Sequence, residues 1–465
     1  MQTSQKVVIN NDKPFGMSDR IGYMFGDMGN TLTYSVVGSF LMIFYTNVGG
    51  ISGAVVGVLF LIARFIDAIA DITVGRLADM TQLTESGRFK PWIRRMKYPL
   101  VIAAVLLFMP FIGKLPNTMK IIYVFVTYLA YGILYSTVNI PYGSMASEIS
   151  SDPNDKTSLS TFRSMGSSIG SAIVSYVIPI FMYVGASNKI SGTRFSETVA
   201  VCALLAFFSY MVCCHYTTER VRTQKTEKVP LGKIVKDMAR NKALIVLVIV
   251  DMVVVINQNL SSVTIAYLFN DYFQNKAAMS IALIFNVASS LILAPFASYF
   301  TRKFGRKESS IVALLFATII YTTILIIHTH NVALFLTLLV FGTLGSGMFN
   351  VMVWAFITDV IDNQQIISGE REDGIIYGVN SFARKVAQAI AGGFGGVMIT
   401  LIGYQSSSTG GALQSVAVVN RIYVLMASIP AVCCGIAALI LLFFYPLNKK
   451  RMQENVNILN QRANS

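Results

Sequence analysis

The sequence predicts an all-α membrane protein with twelve transmembrane helices arranged as two six-helix halves, and three observations lead there. Its 465 residues are 54% hydrophobic and only 13% charged, with a mean hydropathy of +0.60, a balance that soluble domains of this length do not show. A dozen apolar runs follow one another, most near the ~20 residues that a helix needs to cross a bilayer. One long basic stretch without apolar character of its own divides them six and six, the pattern that an internal repeat leaves. The expected organisation is a helical bundle over residues 1–216, a basic linker over 217–242, a second bundle over 243–448 and a tail over 449–465.

Hydropathy places the first six helices at about Ile21 to Tyr45, Ala54 to Ala78, Tyr98 to Phe111, Ile121 to Tyr142, Phe162 to Val184 and Thr198 to His215. The second six fall at about Ala243 to Tyr272, Ala278 to Phe300, Ser310 to Ile327, Val332 to Ile361, Gly374 to Ile402 and Ile422 to Tyr445. The polar start of the chain carries no cleavable signal peptide in this reading.

The net charge of +14 would suggest nucleic acid in a soluble protein. Here the basic residues cluster in alternate loops: Arg88, Lys90, Arg94, Arg95 and Lys97 after the second helix, Arg220 to Lys242 after the sixth, and Arg302, Lys303, Arg306 and Lys307 after the eighth. Those loops are expected to be cytoplasmic, with both termini on the same side. The charge then reports topology, with anionic membrane lipid as a partner and no role for nucleic acid. The five cysteines lie in apolar runs and show neither metal spacing nor a disulfide framework. No phosphate-binding loop and no nucleophile with a base partner is present, so neither an enzyme, ATP coupling nor a bound cofactor is expected.

The second helix carries the unusual chemistry. Arg64, Asp67 and Asp71 interrupt its apolar run at i, i+3 and i+7, which puts all three on one helical face. Ionisable groups inside a span are costly and usually functional. Two carboxylates one turn apart in a low-dielectric setting resist joint ionisation unless a cation sits between them, which suits a proton or sodium carrier. The alternative is a fixed Arg64–Asp67 pair that leaves Asp71 to explain.

A Gly-Arg turn recurs at the same point of each half, at Gly87-Arg88-Phe89-Lys90 and at Gly305-Arg306-Lys307. Glycine permits the tight turn, and the basic residues can meet the negative C-terminal ends of neighbouring helices. This pattern resembles the major facilitator superfamily of secondary transporters. More narrowly, YTNVGGISGAVVGVLFLIARFIDAIADITVGRLAD, the Phe89-Lys90-Pro91-Trp92 turn, NIPYGSMASEI and GEREDGIIYGVNSFARK resemble, in order through nearly the whole chain, the glycoside–pentoside–hexuronide:cation symporter family, which includes melibiose permease.

That resemblance implies a cation site on the second and fourth helices, at Asp67, Asp71 and Asn139, with Ser136 and Thr137 nearby on the fourth. Melibiose permease has an aspartate at the Asn139 position and an asparagine where this chain has Ala70. Both departures remove sodium ligands, so a proton is the first reading for the coupling ion and sodium the second. By itself Asn139 reads equally well as a hydrogen-bonding contact between helices.

Asp27, flanked by glycines in the first helix, suits paired hydrogen bonds from sugar hydroxyls, with Asn30 one turn on. The sugar-binding aspartate of melibiose permease falls at Thr31, which displaces Asp27 by a turn; the other reading makes Asp27 a scaffold partner for Arg64 or another cation. Arg163, placed at the opening of the fifth helix, and Lys385 in Ser381-Phe382-Ala383-Arg384-Lys385 match basic residues of the family's sugar and cation pathway, although both could snorkel. Tyr142 and Trp354 could stack on a pyranose face or simply pack. Asp359, Asp362 and Asp373, with Glu370, Arg371 and Glu372, form an acidic cluster expected to pair across the halves with Arg302, Arg306 or Arg95 and so gate the cytoplasmic side; a solvated loop is the alternative.

The resulting expectation is a symporter that takes up a glycoside, pentoside or hexuronide with a monovalent cation, in a bacterial inner membrane. A carrier of lysolipids or other amphiphiles, and a membrane sensor that transports nothing, are the alternatives.

Overall fold

The structure, a computed structural model, describes residues 8–9, 14–82, 84, 86–150, 152–183, 189–222, 241–368 and 373–464. The chain divides into two units, Met1–Glu227 with Gly396–Gln414, and Lys228–Gly395 with Ser415–Ser465. Six long helices open the chain: α1 (Met17–Asn47), α2 (Gly53–Met80), α3 (Lys90–Leu106), α4 (Asn117–Ile149), α5 (Pro153–Phe181) and α6 (Gly192–Tyr216). Six more follow: α7 (Lys242–Tyr267), α8 (Lys276–Phe304), α9 (Arg306–Ile327), α10 (Val332–Ser368), α11 (Asp373–Leu401) and α12 (Val416–Phe444). By length and composition, eight helices among the described residues suffice to cross a membrane.

The packing repeats as the sequence does. In the first unit α1 lies against α5 and α6, α2 against α4, and α3 against α4 and α6. The corresponding helices of the second unit repeat four of these five contacts, α7 with α12, α8 with α10, and α9 with α10 and α12. Aromatic rings fill the interior of the first bundle, where Phe44 lies 5.2 Å from Phe108 and 5.1 Å from Phe195 between ring centres.

Several helices run beyond their apolar windows, because a polar turn outside the hydrocarbon can still be helical. The largest correction is α3, which begins at Lys90 instead of Tyr98 and takes in the polar KPWIRRMK segment. Two devices start it there. Pro91 stands in the first turn, where its missing N–H costs nothing. The Glu219 carboxylate then receives the backbone N–H groups of Arg88, Phe89 and Lys90 at 2.6, 3.1 and 2.6 Å, satisfying donors that a helix start leaves unpaired. Likewise α5 begins at Pro153, so Arg163 lies well inside the helix and not at its opening.

The two Gly-Arg turns have matching geometry. Gly87 has φ +104° and Gly305 φ +98°, values that favour glycine. Lys90 Nζ donates to the Thr217 carbonyl at the end of α6 (2.7 Å), and Lys307 Nζ donates to the Tyr445 carbonyl at the end of α12 (2.7 Å). In each unit a lysine thus meets the negative end of the sixth long helix.

Residues 217–220, expected as the beginning of the linker, pack into the first unit. Arg220 forms a 2.8 Å ion pair with the fully buried Asp19, and its backbone N–H reaches the Glu148 carbonyl at 2.6 Å. Val221–Arg222 then pairs antiparallel with Val8–Ile9. The rest of the linker lies outside the described residues. Hydropathy missed a helix in the tail, α13 (Lys449–Asn464); it is polar, and it docks on α10 through the buried Asn455, whose amide donates to Asn363 at 3.4 Å. The segment after α11 groups with the first unit, where Tyr404 donates to the Asn47 side chain (3.0 Å) and Ser407 N–H to the Thr46 carbonyl (2.8 Å).

Candidate functional site

Helix α1 presents Asp27, Asn30 and Thr31 on neighbouring turns, all buried. Arg163 of α5 donates through Nε to Asp27 Oδ1 at 3.1 Å, and its guanidinium lies 5.6 Å from the Tyr142 ring centre. That identifies the cation partner of Asp27, which is Arg163 and not Arg64. Glycines set the spacing: a β-carbon on Gly166 or Gly170 of α5 would crowd the α1 backbone, so α5 closes on α1 with the pair between them. Thr31 donates to Ser167 at 3.1 Å. Asn30 donates to Asn139 Oδ1 of α4 at 3.4 Å and accepts from Tyr210 of α6 at 2.9 Å. The substrate residues expected on α1 and α5 therefore lie together along the contact of these two helices, Asp27 with Arg163 and Thr31 beside them, while Asn139 of α4 joins Asn30. Tyr142 is fully buried, stacked 4.5 Å from Tyr23, with its hydroxyl on the Tyr23 carbonyl at 2.7 Å; it packs the wall behind the pair.

On α2, Arg64 Nη1 stands 3.9 Å from Asp67 Oδ2, and the guanidinium lies 5.7 Å from the Tyr34 ring centre. Asp67 faces α4 at Gly132, where any side chain would collide with its carboxylate. Ser136, one turn along α4, turns its hydroxyl back to the Gly132 carbonyl at 3.1 Å. Asp71 occupies the same helical face, half-buried.

In the second unit, Arg384 Nη1 of α11 donates to both oxygens of Asp251 on α7, at 2.8 and 3.1 Å, and Asn380 donates to Asp251 Oδ2 at 2.9 Å. The hydropathy reading passed over this group. A signal was present, since Asp251 is the sole charged residue between Ala243 and Tyr267, and such a residue is costly unless it has a task. Lys385, next to Arg384, is exposed.

The expected gate is corrected in one respect. Arg306 pairs with Asp359, and Arg306 Nη1 also donates to the Ala355 carbonyl at 2.9 Å. Both residues belong to the second unit, on α9 and α10, so this pair braces neighbouring helices of one half and does not cross between halves. The reason is local: Gly305 turns the chain so that Arg306 opens α9 beside the end of α10. Asp362 is half-buried on α10. The side chains of Trp354, Ser381, Asp373 and Arg302, and the whole of Glu370, Arg371 and Glu372, lie outside the described residues.

Two sets of six helices, eight of the described helices long and apolar enough to cross a membrane, define a multi-pass membrane protein. Residues 22–449 match the family described as MFS/sugar transport protein, and the chain belongs to that family. It is 28% identical over 466 residues to an uncharacterized symporter, YjmB, of Bacillus subtilis (strain 168), covering 99% of both chains. With the glucuronide carrier protein homolog of Escherichia coli (strain K12) it shares 27% identity over 449 residues, 95% of each. Among solved structures, a bacterial homolog of the human lysosomal transporter Spinster, inward-facing and unoccupied, has the same fold, with TM-score 0.67, 13% identity and coverage of 94% of this chain and 97% of that one. The protein is thus a transporter of the bacterial cell-membrane type.

Proposed function

We propose that the chain imports a glycoside, pentoside or hexuronide by cation-coupled symport, with both termini in the cytoplasm and a proton as the coupling ion. The observation that carries the reading is the charged stripe Arg64, Asp67 and Asp71 inside the apolar span of α2. Such a stripe suits a group that gains and loses a cation during each cycle. In this reading Asp67 and Asp71 hold the proton, while Asp27, Arg163, Asn30 and Thr31 hold the sugar. The Asn139 oxygen is already engaged by Asn30, which supports a proton over a sodium ion that needs several converging oxygens. The carrier named for glucuronides among the relatives supports a sugar as cargo.

The test is uptake of labelled glycosides, pentosides and glucuronides into proteoliposomes, driven separately by a pH gradient and a sodium gradient, for wild type and Asp71→Asn. Accumulation under the pH gradient alone, lost in Asp71→Asn, is the expected result. Stimulation by sodium would replace the proton with sodium. No sugar accumulated under either gradient would overturn the symport reading and favour an amphiphile as cargo.

A further inference from the structure

The two units carry the same ion pair. In the first, Asp27 on α1 holds Arg163 on α5; in the second, Asp251 on α7 holds Arg384 on α11. These are the first and fifth helices of each set, and all four residues lie in the third or fourth turn of their helices. Exposure is divided in the same way in both pairs. The aspartate side chains are 10% and 1% exposed, whereas the arginines are 42% and 25% exposed.

In both pairs the division keeps the arginine partly hydrated and so limits the desolvation cost, while it also leaves that end accessible. Burying both ions costs desolvation, and apolar side chains of similar size join helices as well or better. Here the carboxylate end is sunk in the wall and the guanidinium end is the more exposed of the two in both units. A buried carboxylate that fixes a partly exposed guanidinium limits the orientations of its planar donor fork, which is matched to two acceptor oxygens side by side. Asn380, about one turn before Arg384 on α11, adds a third hydrogen bond to Asp251 and holds the carboxylate in place.

We propose that Arg384 is a substrate-contacting residue of the second unit. It binds two adjacent oxygen atoms of the sugar, a vicinal diol or a carboxylate, and Asp251 and Asn380 are its positioning residues. This assignment rests on the sugar-transport reading above.

The test uses the full-length protein in proteoliposomes and measures counterflow, which needs no ion gradient. The probes are phenyl β-D-glucoside and phenyl β-D-glucuronide, which differ only in a hydroxymethyl group against a carboxylate. Arg384→Gln is expected to raise the half-saturating concentration about tenfold or more while the maximal rate stays within about threefold. Arg384→Lys recovers part of the loss. The double variant Asp251→Asn with Arg384→Gln leaves no buried charge, so it regains thermal stability but not affinity. A loss confined to the glucuronide assigns the carboxylate, a loss on both probes assigns the diol, and either supports the proposal. Unchanged affinity in Arg384→Gln, or affinity restored in the double variant, would show a structural pair and overturn it. If the wild type carries no sugar at all, the transport reading falls and takes this assignment with it; a working wild type beside an unaffected Arg384→Gln removes this assignment alone.

Discussion

Gly132 of α4 vacates the space that the Asp67 carboxylate of α2 occupies, for a β-carbon built on Gly132 would overlap Asp67 Oδ1. The acid is held as much by an absence on the facing helix as by the Arg64 guanidinium 3.9 Å away. Replacing Gly132 by alanine should favour the helix itself by about 1 kcal/mol, so helix propensity cannot account for any harm. The overlap must be relieved by moving Asp67. Gly132→Ala is therefore expected to lose gradient-driven accumulation by about tenfold or more while counterflow persists and the protein remains monodisperse on a sizing column. Full accumulation in Gly132→Ala would show that Asp67 is not part of the coupling site.

The Asp27–Arg163 pair gives a second, asymmetric expectation. Arg163→Gln leaves a buried carboxylate without its cation, and breaking a buried pair in this sense costs about 3–5 kcal/mol. Asp27→Asn leaves a guanidinium that is 42% exposed and can be hydrated, so it should cost much less. Thermal unfolding in detergent should rank Arg163→Gln below Asp27→Asn, with both weakened in sugar binding. Equal unfolding temperatures would mean that Asp27 is reached by water and that its environment is not the dry one described above.

How much of this was legible in the sequence can be argued from particular residues. The long helices follow from hydropathy, eight of them among the described residues long and apolar enough to cross a membrane, because the bilayer fixes a length and a composition. The Gly87 and Gly305 turns were legible because a positive φ demands glycine and the repeat shows it twice. Arg64, Asp67 and Asp71 stood out as charges in an apolar run. Asp251 had the same signal but lacked a neighbouring charge to draw attention, and its partner Arg384 lies more than a hundred residues away. The start of α3 was illegible for a different reason: its cap, Glu219, comes from beyond α6, and no local pattern links a loop residue to a helix so distant in sequence. The Arg306–Asp359 pair went to the wrong partners because opposite charges in a sequence show that a pair can form, not which helices it joins.

The repeated turns predict a difference between the halves. At Gly87, φ +104° would strain any other residue by about 1–3 kcal/mol, and an added β-carbon would also meet Glu219, which three backbone N–H groups hold in place. At Gly305, φ +98° brings similar strain, yet the nearest atom is the far end of the flexible Glu308 side chain. Gly87→Ala should therefore lower the unfolding temperature more than Gly305→Ala. The reverse order would show that the Glu219 clasp yields easily.

That clasp also carries a pH signature. Burial raises the Glu219 carboxyl from its ordinary value of 4.5, and the backbone N–H groups of Arg88, Lys90 and Phe89 pull it back only in part. The folded protein then keeps this proton to a higher pH than the unfolded chain does. Its contribution to stability is complete below 4.5 and is lost as pH rises through the raised value. Glu219→Gln removes the titration while keeping the shape, although it replaces one acceptor oxygen by a donor and should cost about 1–3 kcal/mol in lost hydrogen bonds. Unfolding temperatures of wild type and Glu219→Gln, measured from acid to neutral pH, should therefore differ most at and below 4.5 and converge as pH rises, levelling once the folded-state carboxyl has ionised. A gap that widens with pH would mean that the N–H groups outweigh burial, and that the ionised clasp is the form that holds α3 to the end of α6.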